Sequence, residues 1–232
     1  MPVGGDGAVW SLRSSLPVVL PLFGDEMPVS PLRFAGMVPI TRGHGDRVSD
    51  YTRLLARELA RDATGRLTIE DAERLAEASR LHDIGKSALP THLLDRRLPL
   101  TDAERAELRR HVSEGLRLLR GLPLLDGDES LRALAAEVIE SHHERWDGGG
   151  YPRGLVAEQI PLSGRIVALA DVYDALRSER SYKPAYSHAV SLTLISRGRS
   201  TQFDPRIVDA FLRIESSFDQ LDRGVPVVRR AA

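Results

Sequence analysis

PLSGRIVALADVYDALR, residues 161–177, reads as a helix whose inward side is apolar and yet carries two acids. Beyond Pro161, the residues Ile166, Val167, Ala170, Asp171 and Asp174 recur at the spacing that gathers side chains on one helical face. A carboxylate aimed at a core needs a partner, because burying an unpaired charge is costly. The rest of the chain must therefore supply what meets Asp171.

The surrounding sequence offers only helices to supply it. From Gly43, His44, Val48, Tyr51, Leu55 and Leu59 share one face. A second helix is predicted over roughly 69–84, with Ala72, Leu75, Ala76, Ser79 and His82 inward. A third opens at Thr101 and Glu104, a capping-box pair, and runs through Leu108, His111, Val112 and Gly115. Ser130 is placed as the cap of a fourth, with Leu131, Leu134, Val138 and His142 in register. Two shorter helices are expected from Ser187 and from Asp204-Pro205. No strand-like alternation of useful length occurs between residues 40 and 215, so the fold class is all-α. Residues 1–39 read as an irregular lead, 40–215 as the domain and 216–232 as a tail.

Composition narrows the chemistry. The 232 residues hold 32 basic and 33 acidic side chains, a balance that gives no bulk attraction to a nucleic acid polymer. With no cysteine, any metal must be held by His, Asp or Glu. The longest early apolar run, LPVVLPLF at 16–23, is far too short to span a membrane and lacks the flanks of a signal peptide. A cytoplasmic protein is expected.

His44, His82, Asp83, His111, His142, His143 and Asp171 all fall where a helix turns inward. One buried histidine is readily satisfied by a hydrogen bond. Five histidines with two carboxylates are better explained as ligands of divalent cations, which would satisfy them together. Two successive histidines on one helix point about 100° apart, so His142 and His143 can serve one site only across a helix end. The glycines that follow let the backbone turn sharply there. His92 and His188 are read as surface residues outside the constellation.

The segments HDIGK (82–86), HHERWDGGGYP (142–152) and RIVALADVYDAL (165–176) resemble the signatures of the HD-GYP domain, a branch of the HD metal-dependent phosphohydrolases. The resemblance covers roughly residues 40–215 and implies a bundle of about seven helices around a multinuclear metal site. It also implies hydrolysis of the bacterial second messenger cyclic di-GMP. By the same resemblance His44, His82, His111, His142, His143 and Asp171 are metal ligands, Asp83 bridges two ions, and Lys86 meets the scissile phosphate. Tyr151, Asp174, Arg180 and Lys183 match substrate contacts, Tyr151 being a residue used for substrate contact or for partner docking. Glu144 and Trp146 are expected to support the site.

Members of the family with a third metal carry a glutamate four residues before the first histidine, where this chain has Ile40. Two ions are therefore expected, iron or manganese by the resemblance, with zinc or nickel also suited to the donor set. Water activated between them would attack phosphorus in line and open the ring to pGpG, with slower cleavage to GMP. Other readings are a catalytically weak module docking a diguanylate cyclase or another signalling protein, and an HD phosphohydrolase for another nucleotide such as cyclic GMP-AMP. A homodimer through a helical surface is also open.

Overall fold

The computed structural model describes residues 43–61, 67–94, 100–125, 127–179 and 184–224. Among these the chain is helical, with two isolated β-bridges and no strand. The α-helices are α1 His44–Leu59, α2 Ile69–Ser79, α3 Thr91–Leu94, α4 Asp102–Arg109, α5 His111–Arg120, α6 Glu129–Ser141, α7 Leu162–Arg177, α8 His188–Arg197, α9 Pro205–Arg213 and α10 Glu215–Asp222. None is long and apolar enough to cross a membrane. The expected lead, Ile40, Arg180 and Lys183 lie outside the described residues.

The helix of residues 162–177 is the axis of the fold. It is buried on nearly every face, Asp171 and Asp174 included. Helix α1 and helix α6 flank α7, α2 packs across α1 and α6, and α8 and α9 close its far side. Helix α5 lies against α6 and against a 3₁₀ turn at Ile84–Ala88. That contact is close enough to require Gly85, since a methyl there would overlap the His111 carbonyl and the Gly115 amide.

Local chemistry sets the helix boundaries. Thr101 and Glu104 form the expected reciprocal cap, and Thr68 with Asp71 forms another that the sequence reading did not single out. The fourth helix is capped by Asp128 rather than Ser130: its carboxylate accepts from Leu131 N at 2.8 Å. The second helix ends at Ser79, short of residue 84. Beyond it the amides of Arg80, Leu81, His82 and Ile84 bond carbonyls three residues back, which tightens the chain into 3₁₀ geometry. The third splits at Arg110, whose amide bonds Glu107 O at 3.0 Å.

The helical body also runs past residue 215, where the sequence reading placed a tail. Phe218 of α10 is fully buried, stacked on Tyr51 with centroids 4.8 Å apart and edge-on to Tyr173 and Phe211. His188 differs from its surface assignment as well. It is half-buried, with Nδ1 2.9 Å from Tyr173 Oη and Nε2 2.5 Å from Glu215 Oε2. Truncating a buried phenylalanine costs about 3–5 kcal/mol. Phe218→Ala should lower the unfolding free energy by that amount in chemical denaturation, and an unchanged midpoint would remove α10 from the core.

Candidate metal centre

Five segments bring donors to one place, four of them at helix ends. His44 opens α1, His82 and Asp83 follow α2, His111 opens α5, and His142 caps α6 with His143 next. Asp171 alone comes from mid-helix, on α7. The donors fall into two groups, His44 with His82 and Asp171, and Asp83 with His111, His142 and His143.

Asp83 faces both. Its Oδ2 lies 3.2 Å from His82 Nε2 and 3.8 Å from His44 Nε2, while Oδ1 lies 3.6 Å from His111 Nε2 and 3.7 Å from His142 Nε2. Within the first group His44 Nε2 is 3.2 Å from His82 Nε2 and 3.4 Å from Asp171 Oδ1. Ligands on one ion, at bonds of about 2.0–2.2 Å, stand about 3–3.5 Å from each other. The spacing therefore fits divalent cations.

Satisfaction of polar atoms makes the same point. Asp83 Oδ1, Asp171 Oδ1, His111 Nε2 and His142 Nε2 are buried and make no hydrogen bond. At roughly 1–3 kcal/mol each, leaving all four unpaired would rival the roughly 5–15 kcal/mol net stability of a whole domain. Metal coordination would satisfy them together.

The opposite ring nitrogens are anchored. Nδ1 of His82 lies 2.8 Å from Ser79 O, Nδ1 of His111 2.9 Å from Leu108 O, and Nδ1 of His142 3.0 Å from Val138 O. Donation to these carbonyls fixes the tautomer that turns Nε2 toward the cluster. Burial favours the neutral acid at Asp83, but Lys86 and His82 overcome it and hold the carboxyl well below its ordinary range. Burial also opposes charge on His82, yet Asp83 and Asp171 outweigh it and raise the imidazole to about 9. Burial lowers His111 to about 4 and His143 well below the usual imidazole range.

The remaining expected residues divide. Lys86 is buried with Nζ 2.7 Å from Asp83 Oδ2, so its charge stands at the carboxylate both groups share. Tyr151 stacks on His143, centroids 4.7 Å apart, under the Arg109 guanidinium. Asp174, expected to contact substrate, has a side chain 1% exposed and is paired with His44 and Arg47. Arg47 was missed, although it follows His44 by three positions on the same helical face.

Glu144 braces the glycine loop, accepting from the amides of Arg153 at 2.7 Å and Leu155 at 3.0 Å. Trp146 and Asp147 donate their amides to Gln202 O and Thr201 O. Gly150 passes so close to Glu144 and Arg145 that a methyl would overlap their backbone.

The sequence pattern that defines the HD domain matches residues 37–207. A cyclic di-GMP phosphodiesterase of Vibrio cholerae is 42% identical over 180 residues, 77% of this chain and 37% of that protein. A 3′3′-cGAMP-specific phosphodiesterase of the same organism is 33% identical over 186 residues, 80% of this chain and 34% of that protein. An HDG"Y"P protein from Bdellovibrio bacteriovorus shares the fold, with a TM-score of 0.55 at 19% identity over 75% of this chain and 51% of that one. The chain thus spans well under half the length of these two Vibrio relatives.

Metal ligation requires neutral imidazole, so an ion entering beside His82 must displace its proton whenever the pH is below about 9. Apparent affinity should strengthen with pH by about tenfold per unit for that one proton and level off above the His82 pKa. Chelator-competition titrations at several pH values measure this, and an affinity independent of pH would contradict the assignment.

Proposed function

Because the chain belongs to the HD domain family, we propose that it is a metal-dependent phosphodiesterase of the HD-GYP branch, opening cyclic di-GMP to linear pGpG. The observation that carries this is Asp83, whose two oxygens address two separate groups of donors. Two divalent ions, iron or manganese, when held there supply Lewis acidity and lower the pKa of water.

The chain's own residues do the remainder. His44, His82 and Asp171 would hold one ion and Asp83, His111, His142 and His143 the other, and Asp83, whose second oxygen faces His82 and His44, would serve both. Hydrolysis opens the ring when water oxygen joins phosphorus and the bond to the 3′-oxygen breaks, that oxygen leaving with a proton. Charge then accumulates on the phosphoryl oxygens. Lys86, fixed beside Asp83, neutralises it. Tyr151, held against His143 with the Arg109 guanidinium over its ring, is proposed to meet the substrate at the edge of the centre. Arg180 and Lys183 are proposed to meet phosphate or guanine. The end product pGpG, rather than GMP, rests on Ile40 in place of a third-metal ligand.

A second reading, a cyclic GMP-AMP phosphodiesterase, is favoured by the relative of that specificity. Turnover across cyclic di-GMP, 3′3′-cGAMP and linear dinucleotides, with anaerobic metal analysis, separates the two. Cyclic di-GMP cleaved fastest, to pGpG, with near two ions per chain is the expected result. Prompt stoichiometric GMP would refute the product assignment, and preferential turnover of 3′3′-cGAMP would favour the second reading. A folded protein that takes up no metal would leave only a docking module for a diguanylate cyclase or another signalling protein.

Asp83→Ala should abolish both metal uptake and turnover. Lys86→Ala should retain metal and lose rate by about 10²-fold or more, the scale of removing one electrostatic donor. Normal turnover in either variant would refute the role given to that residue.

A further inference from the structure

His44 differs from its neighbours in what holds its outer nitrogen. His82, His111 and His142 turn Nδ1 to main-chain oxygens in the last turns of α2, α4 and α6, where a helix presents carbonyl oxygens as acceptors. His44 opens α1, and a helix N-terminus presents N–H donors instead. Its Nδ1 meets a carboxylate imported from α7, Asp174 Oδ2, at 2.7 Å.

That carboxylate has its own anchor. Asp174 is almost wholly enclosed, and a charge so placed needs a fixed counter-charge. Arg47, one turn beyond His44, grips both oxygens, Nε to Oδ1 at 2.5 Å and Nη2 to Oδ2 at 2.9 Å. Ser178 completes the set, accepting from Arg47 Nη2 at 3.2 Å and donating to Asp174 Oδ2 at 3.3 Å.

We propose that Arg47 is a positioning residue for one metal position only: through Asp174 it orients His44 and sets the affinity of the His44–His82–Asp171 group, leaving the Asp83–His111–His142–His143 group unaffected. The selectivity follows from geometry, since the Asp174 side chain touches His44 alone among the seven donors. A carboxylate behind an imidazole also strengthens it as a donor, where a carbonyl does so less. The two positions are therefore inequivalent in strength as well as in composition.

The inference rests on the metal-centre reading above and is tested without turnover. Mn(II) is titrated into the purified metal-free chain, with the free ion read by its EPR signal. The unsubstituted protein should take up two ions. Arg47→Gln should weaken one class of site by about 10- to 100-fold, the usual scale for loss of an outer partner, and leave the other unchanged. Arg47→Lys, which keeps the charge but cannot span both oxygens, should fall between.

The double variant Arg47→Met/Asp174→Leu removes the pair without stranding a buried charge, so it serves if Arg47→Gln does not fold. It should lose the same single class. Two classes unchanged in either folded variant would overturn the proposal, as would equal weakening of both. Failure of the unsubstituted protein to bind two ions is a separate result, and would sink the metal centre itself.

Discussion

A side chain on the flank of a helix reaches only the helix beside it, so donors from several helices meet at a point most readily where helices end. That constraint organises this fold. The ends of α1, α2, α5 and α6 converge on the middle of α7, and each delivers histidine or aspartate from its first or last turn or the residues just beyond. The same termini solve a second problem. Last-turn carbonyls become the acceptors that set the tautomers of His82, His111 and His142, Ser79 O and Val138 O each taking a backbone amide as well. The backbone at these helix ends thus orients the imidazoles.

The convergence must be held against its own electrostatics. Two buried carboxylates, five imidazoles and a lysine cannot make a stable core by themselves, and the apolar packing around α7 and the aromatic cluster of Tyr51, Tyr173, Phe211 and Phe218 offset the cost. Burial and pairing also pull the histidines apart: His82 is raised by Asp83 and Asp171 over the opposing effect of burial, whereas burial depresses His111. Both facts bear on metal uptake, because His111 is ready to ligate at neutral pH and His82 must first release a proton.

Much of the chemistry was legible in the sequence because the donors are polar residues at positions that an apolar periodicity marks as inward. Asp171 in RIVALADVYDAL is the plainest case. What the periodicity does not show is where an α-helix tightens into 3₁₀ geometry, so the helix carrying His82 was drawn too long and the break before His111 was missed. Helix α10 has few apolar residues, and Phe218 gains its meaning only from Tyr51 and Phe211, far away in sequence. The pairing of Asp174 with Arg47 was hidden for a related reason: the two are 127 residues apart, and no local pattern joins them.

The glycine loop is likewise less free than its composition suggests. Glu144 ties down its far side through two amides, the turn at residues 201–202 receives the amides of Trp146 and Asp147, and Arg165 of α7 lies over the Trp146 ring. Arg165 is itself locked to Asp204, the N-cap of α9, by a buried ion pair at 2.6 Å. Glycine at position 150 serves close approach of two backbone segments as much as turning. A loop so braced presents Tyr151 at a fixed place against His143, so the edge of the centre is formed before a ligand arrives. Preorganisation of that kind limits the ordering that binding must accomplish.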